Sequence, residues 1–101
     1  VKAELEQYEA AIADFDEAIL LQPDHADAYF GRGAVKAELE QYEAAIADLD
    51  EAILLQPDHV GGYEKRAQSK AGLGQDDGAA SDRAEATRLA AETDQLDSPS
   101  D

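Results

Sequence analysis

The stretch VKAELEQYEAAIAD fills residues 1–14 and returns letter for letter at residues 35–48. Identity continues to His25 and His59, broken only by Phe15 against Leu49, so the two copies stand 34 residues apart. A period between about 20 and 50 residues marks a solenoid, in which each unit buries its apolar face against its neighbours. The likeness weakens after His59. Even so, Tyr63, Arg66, Lys70, Leu73, Ala79 and Asp82 keep register with Tyr29, Arg32, Lys36, Leu39, Ala45 and Asp48.

Within each unit the apolar spacing is helical. Tyr42, Ala45, Ile46, Leu49, Ala52 and Ile53 fall at steps of three and four, one stripe on one helix. Pro57 cannot continue a hydrogen-bond ladder and stops that helix. Asp58, and Asp24 in the earlier copy, read as N-cap acceptors, with Asp27 in the favourable field of a first turn. The unit is helix, turn, helix, turn. Helices are expected near 24–39, 42–55, 58–72 and 76–93, preceded by one at 8–21 and a stub at 1–5.

A chain of 101 residues accommodates one domain with a modest core. Its formal net charge of -16, from 24 acidic and 8 basic residues, repels nucleic-acid phosphates and attracts basic protein segments. The same charge also serves as a plain solubilising surface. There is no Cys, which excludes disulfides and thiolate metal sites. No apolar run approaches the roughly 18 residues of a membrane span. The sequence opens at Val1 in what reads as the middle of an element. It reads as a fragment, compatible with a targeting segment lost upstream, and a cytoplasmic location is expected.

A helix–turn–helix unit of this length resembles the tetratricopeptide repeat, whose pattern runs W-x2-L-G-x2-Y, then A-x3-F, then P. The middle unit supplies Tyr29, Arg32, Gly33 and Lys36, then Ala45, Leu49 and Pro57; the preceding unit supplies Ala11, Phe15 and Pro23. The resemblance implies an all-α helix–turn–helix solenoid, an α-α superhelix, of about three repeats over residues 1–93. The units are a truncated one at 1–25, a full one at 26–59 and a degenerate cap at 60–93, followed by a polar tail at 94–101. Small residues at Gly33, Ala45 and Ala52 suit points where helix backbones approach closely.

Departures from the pattern carry information. Arg32 and Lys36, and likewise Arg66 and Lys70, replace the pattern's Leu and Tyr and recur in register with Asp14, Asp48 and Asp82. They predict a ladder of ion pairs, Arg32 with Asp14 or Asp48 and Arg66 with Asp48 or Asp82, whose aliphatic stems cover apolar surface. Glu6 and Glu40 stand at the turn position that Gly74 holds in the third unit, which predicts strain in the first two turns. In the third unit Asp76, Arg83 and Ala91 replace Tyr42, Leu49 and Pro57. Its last helix is polar on one side, as a solubilising end cap requires, and is expected to reach toward Asp94 before the tail frays.

Chemistry-bearing groups are few. His25 and His59 occupy the same point of equivalent turns, which suits one structural role used twice; two ligands per turn are too few for zinc. QDDGAASD, residues 75–82, lacks the alternating oxygens and terminal Glu of a calcium loop and reads as a turn and helix start. Asp14 with Asp16, and Asp48 with Asp50, repeat with the helices and read as solvated faces, not as an acid–base pair. With no Gly-rich phosphate loop and no nucleophile elbow, the chain does not read as an enzyme, and no cofactor or metal is expected.

In tetratricopeptide repeats the first helices of successive units line a concave groove that commonly holds an extended or helical peptide. By that resemblance the groove face carries Asp27, Phe30, Gly31, Ala34 and Glu38 from one first helix and Gly61, Glu64, Lys65 and Gln68 from the next. Their spacing agrees with a single helix face. Phe30 reads either as a ligand contact or as filling between first helices. Relatives that grip a C-terminal carboxylate use several cations here, whereas Lys65 is the sole cation of this set. The expected partner is therefore a basic or mixed-charge peptide of another protein, with no nucleic acid and no membrane insertion. Self-assembly into a homo-oligomer is the competing reading. The truncated unit leaves Tyr8, Ile12 and Phe15 or Ile19 short of cover, and near-identical units permit end-to-end stacking or helix swapping.

Overall fold

Proline sets the turns that divide the chain. Gln22-Pro23-Asp24-His25 and Gln56-Pro57-Asp58-His59 each close as a four-residue turn, the His backbone N–H donating to the Gln carbonyl at 3.1 Å. Pro at the second position presets the φ that such a turn needs. The turn delivers His, not Asp, to the extended backbone of an N-cap (φ -84°, ψ 92° at His25; φ -79°, ψ 93° at His59). The imidazole Nδ1 then accepts from the N–H of Ala28 at 3.2 Å and of Gly62 at 2.9 Å. The caps are thus His25 and His59, the one role used twice. Asp24 and Asp58, expected to cap, stand exposed at the third position of each turn.

The computed structural model describes residues 2–97. Five helices follow: α1 (Lys2–Leu21), α2 (Ala26–Glu38), α3 (Tyr42–Leu55), α4 (Val60–Gly72) and α5 (Asp76–Asp97). Each packs on its neighbours in sequence, and α2 also packs on α4, whereas α1, α3 and α5 do not touch one another among the described residues. The first helices therefore form a close inner layer and the second helices a splayed outer one. That is an open solenoid, concave on the α2/α4 side. α5 runs to Asp97, three residues beyond the expected Asp94 and into the stretch read as a fraying tail, because Ala91 stands where Pro57 halts α3. Residues 98–101 of that tail lie outside the described residues.

Identical letters take two conformations. After α2, Glu40 N–H donates to the Ala37 carbonyl and Gln41 N–H to the Lys36 carbonyl, both at 2.9 Å, a Schellman closure with Glu40 in the left-handed region at φ 60°. Gly74 closes α4 in the same way at φ 78°. Glu6 occupies the position of Glu40 yet lies inside α1, which runs unbroken where a stub, turn and helix were expected. The left-handed conformation costs a non-glycine residue about 1–2 kcal/mol. In the second copy that cost is offset by contacts of the upstream helix: Gly33 lies so close to Leu49 that a Cβ there would stand 2.9 Å from the Leu49 Cγ, and Arg32 and Lys36 bind Asp48. In the first copy the same letters continue as helix through Glu6.

The core is built of small residues. Ala28, Ala37, Ala45, Ala52, Ala67, Ala79 and Ala86 are buried, and Leu49 is the largest apolar side chain with no exposure at all. Ser69 is buried too, with its hydroxyl unpaired, at the position that Val35 holds one repeat earlier. Polar fastening supplements so thin a core. The Arg32 guanidinium forks onto Asp48 (Nε–Oδ2 2.9 Å, Nη2–Oδ1 2.8 Å) and reaches Asp16 with Nη1 at 2.7 Å. Lys36 Nζ joins Asp48 at 3.0 Å. One repeat on, Arg66 forks onto Asp82 at 2.9 and 2.7 Å and reaches Asp50 at 2.9 Å, and Lys70 joins Asp82 at 3.1 Å. Each guanidinium also lies over a tyrosine ring, Tyr29 at 5.5 Å and Tyr63 at 5.3 Å from the centroid.

The expected ladder is present, with different outer partners. Asp16 and Asp50, not Asp14 and Asp48, reach to the following unit. Residues two apart on a helix point about 200° apart, so Asp48 faces α2 while Asp50 faces α4. The paired aspartates serve the two neighbours of their helix, and Asp48, at 6% exposure, is no solvated face.

Burial pushes the Asp82 carboxyl up, but the hydrogen bonds from Arg66 and Lys70 outweigh it and hold it below the ordinary range. The Asp48 and Asp82 hydrogen bonds likewise push Arg32 and Arg66 above the usual guanidinium value. A carboxyl depressed in the folded state contributes stability that is present above its unfolded value, near 4, and lost as pH falls below it. Asp82→Asn should cost about 3 kcal/mol at neutral pH, since it removes the buried charge shared by Arg66 and Lys70 and leaves Arg66 only Asp50, and should flatten the acid limb of a urea-melt pH series below about pH 4. A second test uses the two conformations. Glu40→Gly should stabilise by about 1 kcal/mol, whereas Glu6→Gly should destabilise by a similar amount, opposite signs from the same change in the same letters, read by thermal melting.

Candidate functional site

The concave face is made by the exposed sides of α2 and α4, and their junction is held by an aromatic contact. Phe30 lies on the Ala37/Ala45/Leu49 cluster, and its ring meets that of His59 at 4.6 Å between centroids, tilted by 38°. A Cβ on Gly61 would stand 3.2 Å from the Phe30 ring, so this glycine lets α4 close onto α2. Phe30 therefore fills space between first helices and is half-buried.

Around that junction the structure gathers most of the sequence-derived residues. Asp27 is exposed, with Oδ1 3.8 Å from His59 Nε2. At the other end Glu38 Oε1 stands 4.0 Å from Lys65 Nζ, which also donates to Gln68 Oε1 at 3.4 Å. Glu64 is exposed, and Ala34 is half-buried. Gly31 differs from the rest. The Phe15 ring of α1 lies directly against it, which leaves no room for a Cβ. It is a point of close approach between α1 and α2, and its repeat equivalent, Lys65, belongs to the copy in which Phe15 becomes Leu49.

His59 was missing from the sequence-derived set. Its cap role and its contacts with Asp27 and Phe30 put it at the α2/α4 junction, and its recurrence in the turn was the signal available. On the α2/α4 side Asp27, Glu38 and Glu64 stand against Lys65, and Lys65 is already engaged by Glu38. Among the described residues no helix is long and apolar enough to cross a membrane.

The tetratricopeptide-repeat family model matches residues 1–59, more than half of the chain, and the chain belongs to that family. Solved structures share the fold. A crystal structure of MamA superposes with a TM-score of 0.84 at 24% identity, covering 91% of this chain and 54% of MamA. The second tetratricopeptide domain of Spaghetti (RPAP3), bound to the HSP90 peptide SRMEEVD, gives a TM-score of 0.81 at 24% identity over 85% of this chain and 80% of that one. The OM64 tetratricopeptide domain of Arabidopsis gives 0.81 at 29% identity, over 86% of this chain and 72% of that one. The chain spans about half the length of MamA. No curated protein matches it.

The Phe15–Gly31 contact yields a sharp expectation. Gly31→Ala should destabilise by about 1–3 kcal/mol in urea melts, because the ring must move, and adding Phe15→Leu should recover most of that loss.

Proposed function

We propose that the α2/α4 face is a recognition groove that takes a basic or mixed-charge segment of another protein, making the chain a non-catalytic scaffold. The observation that carries this reading is the groove's charge. Among the described residues Asp27 and Glu64 have no Lys or Arg within salt-bridge reach, while Lys65 is shared with Glu38 and Gln68. A net charge of -16 over the whole chain adds long-range attraction for cationic segments. The fold supports a binding role, since the RPAP3 domains are seen with a peptide. The peptide printed for them, SRMEEVD, is acidic, and the cations that a carboxylate end would need are scarce on this face.

Self-assembly is the second reading, and the exposure of α1 favours it. Tyr8, Ile12, Phe15 and Ile19 are half-buried rather than bare, while Leu5, Leu20 and Leu21 are exposed at 46%, 74% and 77%.

Calorimetric titration of the chain with a short Lys/Leu peptide and with its Glu/Leu counterpart tests the groove. The cationic peptide should bind, the acidic one should not, and Glu64→Lys or Asp27→Lys should weaken binding about tenfold. Equal binding of both peptides, or indifference to both variants, would remove the reading.

A further inference from the structure

The two turns that join paired helices are built alike and spelled differently. After α4 the left-handed position holds Gly74, at φ 78° and with nothing within 4 Å of where a Cβ would stand. After α2 it holds Glu40, at φ 60°, a conformation that a side chain makes costly. From Ala34 to Gln56 there is neither Gly nor Pro, and the junction itself, Glu38-Leu39-Glu40-Gln41, consists of good helix formers. The same molecule displays the alternative. Residues 3–14 run straight within α1, and theirs are the letters that bend at 37–48.

When that turn straightens, α2 and α3 merge into one rod over residues 26–55, about 45 Å long at 1.5 Å per residue. A single chain can then no longer fold α2 onto its own α3. Two chains can: laid antiparallel, each rod sets its α2 half on the α3 half of the other. The contacts of α2 with the elements after it are all re-formed across the pair. Arg32 and Lys36 meet the partner's Asp48, Gly33 meets the partner's Leu49, and Phe30 meets the partner's His59, as they do within one chain.

We propose that this chain pairs with a second copy by exchanging α1 and α2, with Glu38–Gln41 as the hinge. The occupant is set by the exchanged surface itself, since the α3/α4 side that receives Arg32, Gly33 and Phe30 within one chain is present unaltered in a second. In the closed chain those contacts hold Glu40 in its costly conformation; the exchange keeps the contacts and relieves Glu40 in both copies, and a strained hinge favours such swapping. Gly74 carries no such strain and is a poor residue for a helix interior, so the α4–α5 turn stays closed. The inference rests on the self-assembly reading, whose hinge it names, and is independent of the peptide groove. The exchange is mutual and closes at two copies. Glu38, Glu40 and Glu43 of both copies meet near the crossing of the rods, so association strengthens as salt shortens the screening length from about 10 Å at 0.1 M to about 3 Å at 1 M.

The 101-residue chain, unfolded in urea and refolded at micromolar and at millimolar concentration in low and high salt, should yield a dimer on size exclusion whose share rises with both. Spin labels on Asp27→Cys and Leu54→Cys read the hinge, both sites being exposed in a chain that has no other Cys. In the monomer the two sites lie at one end of the α2/α3 pair, about 20 Å apart or less. In the dimer, with labelled chain diluted into unlabelled, electron–electron resonance should place them about 40 Å apart along one rod. Glu40→Gly should cut the dimer association constant at least about tenfold, because two hinges act in each dimer. A dimer that keeps the short distance would overturn the exchange while leaving self-assembly standing, and a chain monomeric under all conditions would remove both. A dimer share untouched by Glu40→Gly would also overturn the proposal.

Discussion

Everything in this fold hangs on a guanidinium with three neighbours. Arg32 sits on α2 between α1 and α3, with Nε and Nη2 donating to Asp48 on one side and Nη1 to Asp16 on the other while its face covers Tyr29. Arg66 does the same between α3 and α5. A planar fork with fixed donor directions can tie two helices to a third in a defined orientation, which a lysine cannot. The adjacent lysine balances the second aspartate, so each cluster of Asp, Arg, Lys and Asp is electrically neutral although the chain is strongly acidic. A core made mostly of alanine offers little shape complementarity to set helix rotation, and these clusters supply the missing orientation.

Much of this was legible in the letters, for particular reasons. The exact duplication made unit length and helix pairing unambiguous, and the recurring Arg, Lys and Asp announced paired charges before any coordinates. Three features escaped. The histidine caps depend on Pro fixing a four-residue turn, which moves the capping position one residue past the residue type that usually holds it. The outer partners Asp16 and Asp50 depend on which side of α1 and α3 faces the next unit, a question of helical angle that in-register alignment does not answer. The unbroken α1 could not be read at all, since the same fourteen residues bend after α2 and stay straight in α1. Their intrinsic preferences are identical, and the second copy additionally follows Arg32 and Gly33, which pack on α3. For the residues expected to line a groove, spacing placed them on α2 and α4, but which of them pack and which stay exposed came from the structure. Gly31 and Gly61 are approach points for aromatic rings, and Phe30 with His59 joins the two helices that carry the acidic groups.

The two ends of the solenoid are chemically unlike, and so are its two faces. The concave side concentrates carboxylates around one aromatic junction. The outer side carries exposed Leu20 and Leu54 at equivalent places, followed in the third unit by Arg88, which is engaged with Glu85 and Glu92 along its own helix. The molecule thus grows more polar toward α5, consistent with a cap that keeps helix surface in water.

The single difference between the copies, Phe15 against Leu49, bears on how the chain avoids confusing them. α1 and α3 otherwise share their sequence from Tyr8 and Tyr42 onward, so during collapse either could dock where the other belongs. Leu49 has no exposure and its Cγ is 2.9 Å from where a Cβ on Gly33 would stand, a site with no volume for a phenyl ring. Phe15 instead rests on Gly31. One bulky ring in a duplicated chain acts as a key that fits only one lock, and biases an otherwise symmetric choice of partners toward correct threading.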